Sequence, residues 1–300
     1  MIKITVFGGS GFLGSHVCDK LSDSGYEVTI FDRIESHYLR ADQTMLIGDI
    51  LDENAVMSAV SGAQFVFNFA GIADIDEAKK MPLDTIRYNI LGNTIILEAC
   101  RKEHIKRFIF ASSVYVYSKS GAFYRVSKQA CENYIEEYYD MYDLKYTILR
   151  FGTLYGPRSD KRNAVYRFIL QALTDGTMNY DGNRDAQREY IHAEDAAMAC
   201  VDILKSEFEN QHIVLTGSQF FKVRELLGMI QEIIPDDIEI QYQPNKKKTA
   251  HYVLTPHNYS PRLGKKFIPP LQVDIGQGLL QQVESIYRKL HPEIDEIQDL

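Results

Sequence analysis

Residues 2–14 read IKITVFGGSGFLG, a β-branched run that ends in Gly8, Gly11 and Gly14. Apolar residues then resume at helical spacing with Val17 and Leu21. A strand that passes through glycines directly into a helix is the first half of a βαβ unit, and each glycine has a job there. One allows the tight turn, one lets backbone N–H groups approach a diphosphate closely, and one lets the helix pack against the strand. The anion then sits at the positive end of the helix. The plainer alternative is a glycine-rich turn with no ligand.

The rest of the chain repeats the unit. Short β-branched or aromatic runs at 2–7, 27–31, 64–69, 107–111 and 145–149 alternate with segments of helical periodicity. Strands that are apolar throughout and separated by helices imply an α/β fold, a doubly wound parallel sheet covered on both faces. From about residue 156 the pattern breaks, in YGPRSDKRN and YDGNRDAQRE, and later strands are short. We therefore expect a dinucleotide-binding domain over 1–155, with 189–217 returning to it. A smaller substrate-binding lobe is expected from 156–188 and 218–300. With 45% hydrophobic residues in 300, the chain can bury a core of that size.

Charge and cysteines narrow the partners. A net charge of −8, with one short basic run at Lys246–Lys248, argues against a nucleic-acid-binding face. The four cysteines, Cys18, Cys100, Cys131 and Cys200, form no CxxC pair, so neither a metal site nor a disulfide framework is indicated. The N-terminal apolar run is too short for a signal peptide, and no stretch reaches the length of a membrane span. The expected location is cytoplasmic, with no membrane partner.

Two further stretches carry chemistry. Asp32 ends the second strand, where a carboxylate can accept hydrogen bonds from both hydroxyls of an adenosine ribose and would repel a 2′-phosphate. That favours NAD over NADP, although the guanidinium of Arg33 could pair with such a phosphate. Asp49, after the third strand, could bond the adenine amino group or simply form a turn or cap a helix. The stretch FASSVYVYSKSGAFYRVSK places Ser113 beyond the fifth strand and Tyr124 and Lys128 four apart near a helix start. Ligands of doubly wound sheets gather beyond the carboxyl ends of the strands, so the three groups can converge. A nearby ammonium would favour phenolate and make Tyr124 a general base. The alternative is an aromatic residue and a lysine on an ordinary helix.

GGSGFLG, Asp32, GDI, NFAG at 68–71, YNILGNT at 88–94, ASSVYVY, YRVSK, LRFGTLYGP at 149–157 and REYIHAEDAA at 188–197 together resemble the extended short-chain dehydrogenase/reductases. Within that superfamily the chain looks like the NAD-dependent nucleotide-sugar epimerase/dehydratase family, of the UDP-glucose 4-epimerase type. SPRLGKKFIPP and a last helix after Ile275 resemble that family's ending. The resemblance implies a Rossmann-like sheet and a tightly held NAD, with Tyr124 as base, Lys128 on the nicotinamide ribose and Ser113 on the sugar hydroxyl. It also implies that Gly8, Gly11, Phe12, Leu13, Gly14, Asp32, Arg33, Asp49, Ile50, Phe69, Ala70, Gly71, Asn89, Ala111 and Ser112 line the cofactor. Thr153 and Arg188 would meet the substrate, Arg188 at its diphosphate. A homodimer is implied through helices at about 83–102 and 123–142, for which Tyr134, Ile135, Tyr138 and Tyr139 are candidates; core packing explains these four equally well.

The chain departs from the family in three places. Only residues 114–123 separate Ser113 from Tyr124, where related epimerases have a longer loop that helps to cover the sugar. Thr153 stands where many relatives have asparagine. Val114 and Tyr115 replace the Asp-Glu pair of 4,6-dehydratases, so dehydration is not expected. The expected activity is C4 epimerisation of a nucleotide sugar through a transient 4-keto sugar. A nucleotide-sugar 4-dehydrogenase or 4-ketosugar reductase is the alternative, and a non-catalytic NAD-binding regulator is a more distant one.

Overall fold

The computed structural model describes residues 1–243, 251–258 and Val283. The Lys246–Lys248 run, the SPRLGKKFIPP motif and the helix expected after Ile275 lie outside the described residues. The strands are β1 (Lys3–Phe7), β2 (Glu27–Asp32), β3 (Gln43–Ile47), β4 (Phe65–Asn68), β5 (Arg107–Ser113), β6 (Tyr146–Phe151), β7 (Thr153–Tyr155), β8 (Thr177–Asp181), β9 (Gln187–His192), β10 (Gln211–Leu215), β11 (Phe220–Lys222) and β12 (Glu239–Gln243). The helices are α1 (Phe12–Asp23), α2 (Glu53–Val60), α3 (Ile75–Lys80), α4 (Pro82–Asp84), α5 (Gly92–Lys102), α6 (Ala122–Tyr142), α7 (Ala164–Asp175), α8 (Ala193–Asp202) and α9 (Val223–Ile233). A π-helical stretch, Thr85–Leu91, joins α4 to α5, and a 3₁₀ turn, Val114–Tyr117, follows β5.

Seven strands form a parallel sheet in the order β10-β6-β5-β4-β1-β2-β3. The order reverses beside β1, so the carboxyl ends of β1 and β4 open a crevice at that switch point, where doubly wound sheets bind ligands. The fold class read from the sequence is the one observed. The short strand β10 takes the edge beside β6, so residues 211–215 extend the main sheet. Ser113 is the last residue of β5 and caps the 3₁₀ turn, accepting from the Tyr115 N–H.

Alternation along the strands sorts the core into two layers. Phe7, Phe31, Phe108 and Ile148 face α2, α5 and α6 on one side, with Val56 and Ile96. Ile4, Val6, Val28, Ile30 and Ile109 face α1 and α8 on the other, with Val17, Leu21 and Cys200. Strand β6 is buried along its whole length, whereas the edge strand β3 is largely exposed. A third core of Phe168, Met178, Leu227 and Ile230 holds α7 and α9 against β8 and β12. Strands β7, β9 and β11 make a separate small sheet.

A polar cluster is built into the main layers. Glu132 of α6 and Arg150 of β6 are buried and paired, Nη2 to Oε2 at 2.6 Å and Nε to Oε1 at 3.0 Å. Ser112 of β5 donates to the same carboxylate, and Arg150 also reaches Tyr117 and His212. Removing one partner of a buried ion pair strands the other. Glu132→Ala is therefore expected to lower unfolding free energy by about 3–5 kcal/mol, read from the denaturant midpoint. A loss under about 1 kcal/mol, the size of an exposed pair, would show that Tyr117 and His212 suffice for the guanidinium.

Candidate active site

The glycine turn is crowded by backbone. A Cβ at Gly14 would lie 2.2 Å from the Gly8 carbonyl oxygen, and one at Gly8, whose φ is +77°, would lie 2.6 Å from the Ala70 nitrogen. The β1–α1 turn is thus pressed against both its own helix and the end of β4. Gly11 caps α1 without a side chain, so no side-chain oxygen occupies the helix end. Asp32 lies beside it, its carboxylate accepting from the Ser10 N–H at 3.1 Å and the Arg33 N–H at 2.7 Å. A bare positive helix end and an oriented carboxylate fit the diphosphate and ribose diol of a dinucleotide. The Arg33 guanidinium stacks over Tyr88 at 4.9 Å.

Across the crevice, β5 and α6 bring the other groups together. The Ser113 hydroxyl is near enough to the Tyr124 phenol to favour its ionised form, and the Lys128 ammonium donates to the Ala111 carbonyl at 2.7 Å. Lys128 lies 5.8 Å from the centre of the Tyr124 ring and 4.6 Å from that of Phe110. Gly121, with φ +101°, starts α6 and lets the chain turn into the helix so soon after β5. The electrostatics differ from the sequence-based expectation of an acidified phenol. Burial raises Tyr124 from 10.0 to about 12, against the smaller opposing effect of the Ser113 hydroxyl. Burial also lowers Lys128 from 10.5 to about 8. Desolvation therefore outweighs charge in the protein itself.

Several residues expected to line the cofactor also make contacts within the protein. Ser112 is buried and bonded to Glu132. Asn89 is buried with its amide bonded to both backbone groups of Ile72 and to Ser127, so it braces the loop at Gly71. Asp49 accepts from the Leu51 N–H, the turn reading of that residue. Ile50 is buried in the core beside Gly92, and Phe69 stacks on Phe67. Phe12 meets the His16 ring edge-on, and Leu13 is buried in the layer under α1. Thr153 begins β7 in register with Tyr190. Arg188 stacks over Tyr252 at 4.4 Å and donates to the Gln187 and Val253 carbonyls. Among the four tyrosine and isoleucine candidates for a subunit face, Ile135 is core, Tyr138 bonds Glu98 and Tyr139 packs on Tyr146; Tyr134 alone of the four is exposed.

Sequence reasoning missed the wall beside Tyr124. Tyr115 meets Tyr124 edge-on at 6.4 Å and Tyr252 at 4.5 Å, and its hydroxyl is 2.8 Å from His251 Nδ1. Nothing local in the sequence announces a contact between residues so far apart. Gly121 was the available signal, since a Cβ there would strike the Tyr115 ring at 2.8 Å.

Comparison with known proteins agrees with this geometry. The profile of the NAD dependent epimerase/dehydratase family matches residues 4–216. A UDP-N-acetyl-alpha-D-glucosaminuronate decarboxylase of Bacillus cytotoxicus is 28% identical over 276 residues, covering 83% of this chain and 85% of that protein. The crystal structure of a UDP-glucose 4-epimerase with UDP-glucose from Thermotoga maritima superposes with a TM-score of 0.79 at 26% identity, covering 86% of this chain and 90% of the other. That of a Thermus thermophilus UDP-glucose 4-epimerase in complex with NAD gives 0.76 at 25% identity, covering 87% and 91%.

The two displaced pKa values predict a pH signature of folding. Between about pH 8 and 10.5 the unfolded chain holds a proton on Lys128 that the folded protein has shed, so the lysine's contribution to stability rises with pH across that window. Tyr124 acts oppositely: its contribution is present below pH 10.0 and is lost as pH rises toward about 12. In Lys128→Met the first effect disappears. The variant's stability relative to the unmodified protein should therefore fall as pH is raised from about 8 to about 10, measured by urea unfolding. A constant difference would show that the lysine titrates normally.

Proposed function

The chain belongs to the NAD-dependent epimerase/dehydratase family, and from that premise we propose that it is an NAD-dependent nucleotide-sugar 4-epimerase. The observation that carries the reading is the convergence of Ser113, Tyr124 and Lys128 at the carboxyl end of β5, across the crevice from the bare helix end and Asp32. The names of the superposed Thermotoga and Thermus proteins support a uridine diphosphate sugar as substrate. Gly8, Gly11, Gly14 and Asp32 would hold NAD, and the occupation of Asp32 with the ribose favours it over NADP. Bound NAD supplies a hydride acceptor and donor and a positive ring charge beside the phenol.

The residues of this chain handle the proton and the positioning. Ser113 holds the reacting hydroxyl, and Tyr124 Oη takes its proton and later returns one. A phenol raised to about 12 is almost wholly protonated near neutral pH, so the phenolate that takes the substrate's proton is scarce. The first step therefore draws on positive charge near the ring, to which Lys128 contributes only while protonated. Arg188 would meet the diphosphate once its stacking on Tyr252 has set its plane. Val114 and Tyr115 provide no carboxylates at the positions that dehydratases use, which favours simple epimerisation.

A homodimer and a cytoplasmic location complete the proposal. Leu83, Ile86, Phe123, Val126 and Tyr134 are exposed along α4, the π-helical stretch and α6, an apolar surface that a second copy would cover. All four cysteines are free and buried, which suits a reducing compartment, and among the described residues no helix is long and apolar enough to cross a membrane.

The test is a panel of uridine diphosphate sugars with and without added NAD, following product and reduced cofactor together. Epimer formation without net reduction is expected, whereas reduced cofactor accumulating in step with added NAD would make the protein a dehydrogenase. Tyr124→Phe should lower kcat by about 10²–10⁴-fold with cofactor binding nearly unchanged. Turnover at the unmodified rate would move the base elsewhere.

A further inference from the structure

Arg33 gives its backbone to the glycine side of the cofactor crevice and its side chain to another element. Its N–H donates to the Asp32 carboxylate at 2.7 Å, and the Ser10 N–H donates to the same carboxylate at 3.1 Å. The Ser10 hydroxyl donates to the Ile34 carbonyl at 2.8 Å. The residues on both sides of Arg33 are therefore tied to the glycine turn, and its side chain is the part that can swing. Among the described residues no ion pair joins its guanidinium to Asp32; it lies over the Tyr88 ring, 4.9 Å from the centroid. Tyr88, in the π-helical stretch, is held in its turn. Its ring packs against the core layer that contains Phe31 and Ile96, and the next residue, Asn89, is buried and bonded to Ile72 and Ser127. A fixed ring thus holds a long, exposed side chain.

We propose that Tyr88 is a specificity-determining residue, which holds the Arg33 guanidinium away from a 2′-phosphate and so favours NAD over NADP. This rests on the reading that Asp32 meets the adenosine ribose. One of the two hydroxyls that would donate to that carboxylate bears the phosphate in NADP, so the phosphate would arrive at Asp32, and the next residue along the chain is a cation. A planar guanidinium is well suited to pair with a phosphate, and such a pair would offset the repulsion from the carboxylate. In this protein that pairing first requires Arg33 to leave Tyr88. NAD, with no such phosphate, leaves the stack in place. Asp32 therefore discriminates by charge, and Tyr88 by withholding the charge that would compensate. A guanidinium stacked on a partly exposed ring is held by an amount that corresponds to about two- to fivefold in an equilibrium.

The experiment reads bound cofactor and not turnover. Each protein, as purified, is dialysed to equilibrium against equal concentrations of NAD and NADP, and the cofactor it retains is released by denaturation and measured by chromatography. The ratio of bound NADP to bound NAD is then the ratio of their affinities. Tyr88→Leu and Tyr88→Met keep an apolar side chain on the core and lose the ring, and each should raise that ratio about two- to fivefold. Tyr88→Phe keeps the ring and should leave the ratio unchanged. Tyr88→Leu made in the Arg33→Leu protein should also leave the ratio as it is in Arg33→Leu alone, because no guanidinium remains to be released. An unchanged ratio in both Tyr88→Leu and Tyr88→Met, or the same rise in the absence of Arg33, would overturn the proposal. Asp32→Ala separates this failure from a failure of the reading beneath it. If Asp32→Ala raises the ratio while Tyr88→Leu and Tyr88→Met do not, Tyr88 has no part in the choice and the ribose still lies at Asp32. If Asp32→Ala leaves the ratio unchanged, the ribose lies elsewhere and the role of Tyr88 falls with it.

Discussion

A carboxylate and a guanidinium buried between α6 and the sheet hold the reactive end of this molecule together. Glu132 lies one helical turn beyond Lys128, Ser112 lies beside Ser113, and Arg150 lies on the neighbouring strand. The pair therefore ties the helix that carries phenol and ammonium to the strand that carries the hydroxyl. Desolvating two charges consumes much of what their attraction returns, so an apolar pair of the same volume could match it in stability. What an apolar pair could not supply is register. Sliding α6 by one residue would swing Glu132 away from Arg150 and leave both charges buried and apart, so the ion pair admits one position of Tyr124 and Lys128 relative to Ser113.

That fixed position sets the electrostatics. Burial raises the pKa of Tyr124, and burial under Phe110 lowers that of Lys128. The protein alone thus moves both groups toward their neutral forms. In the epimerase proposed above, a site built this way would keep the phenol protonated until positive charge arrives near it, with no moving part required.

The elements legible in the sequence are those whose cause is local. The glycine turn could be read because a Cβ at Gly8 or Gly14 collides with backbone within the same crevice, and strands buried on both faces show as unbroken apolar runs. The convergence of Ser113, Tyr124 and Lys128 was legible from spacing on one strand end and one helix. Residues whose role depends on a distant partner were not. Nothing in the sequence shows that the side chains of Ser112 and Asn89 are held by Glu132 and Ser127. Three of the four residues considered for a subunit face turned out to pack inward or bond Glu98, because a helix of 21 residues shows an apolar stripe without saying which neighbour it meets. The Tyr115 to His251 contact spans 136 positions and joins two loops, where no periodicity exists to be read.

The short connection also changes what it costs to close the site. Ordering a flexible loop costs about 1–2 kcal/mol per residue fixed, so a long lid must gain enough contacts to offset that at every turnover. Here the segment after β5 is already fixed, by the Ser113 cap on the 3₁₀ turn and by Gly121 at the start of α6. The segment at 251–255 is likewise fixed to β9 by backbone bonds and by Thr255, which accepts from the Glu189 N–H. The two ordered pieces meet through the contacts of Tyr115 with His251 and Tyr252. The wall beside Tyr124 is then made from chain already folded for other reasons, and Arg188 of β9, stacked on Tyr252, ties it to the three-stranded sheet.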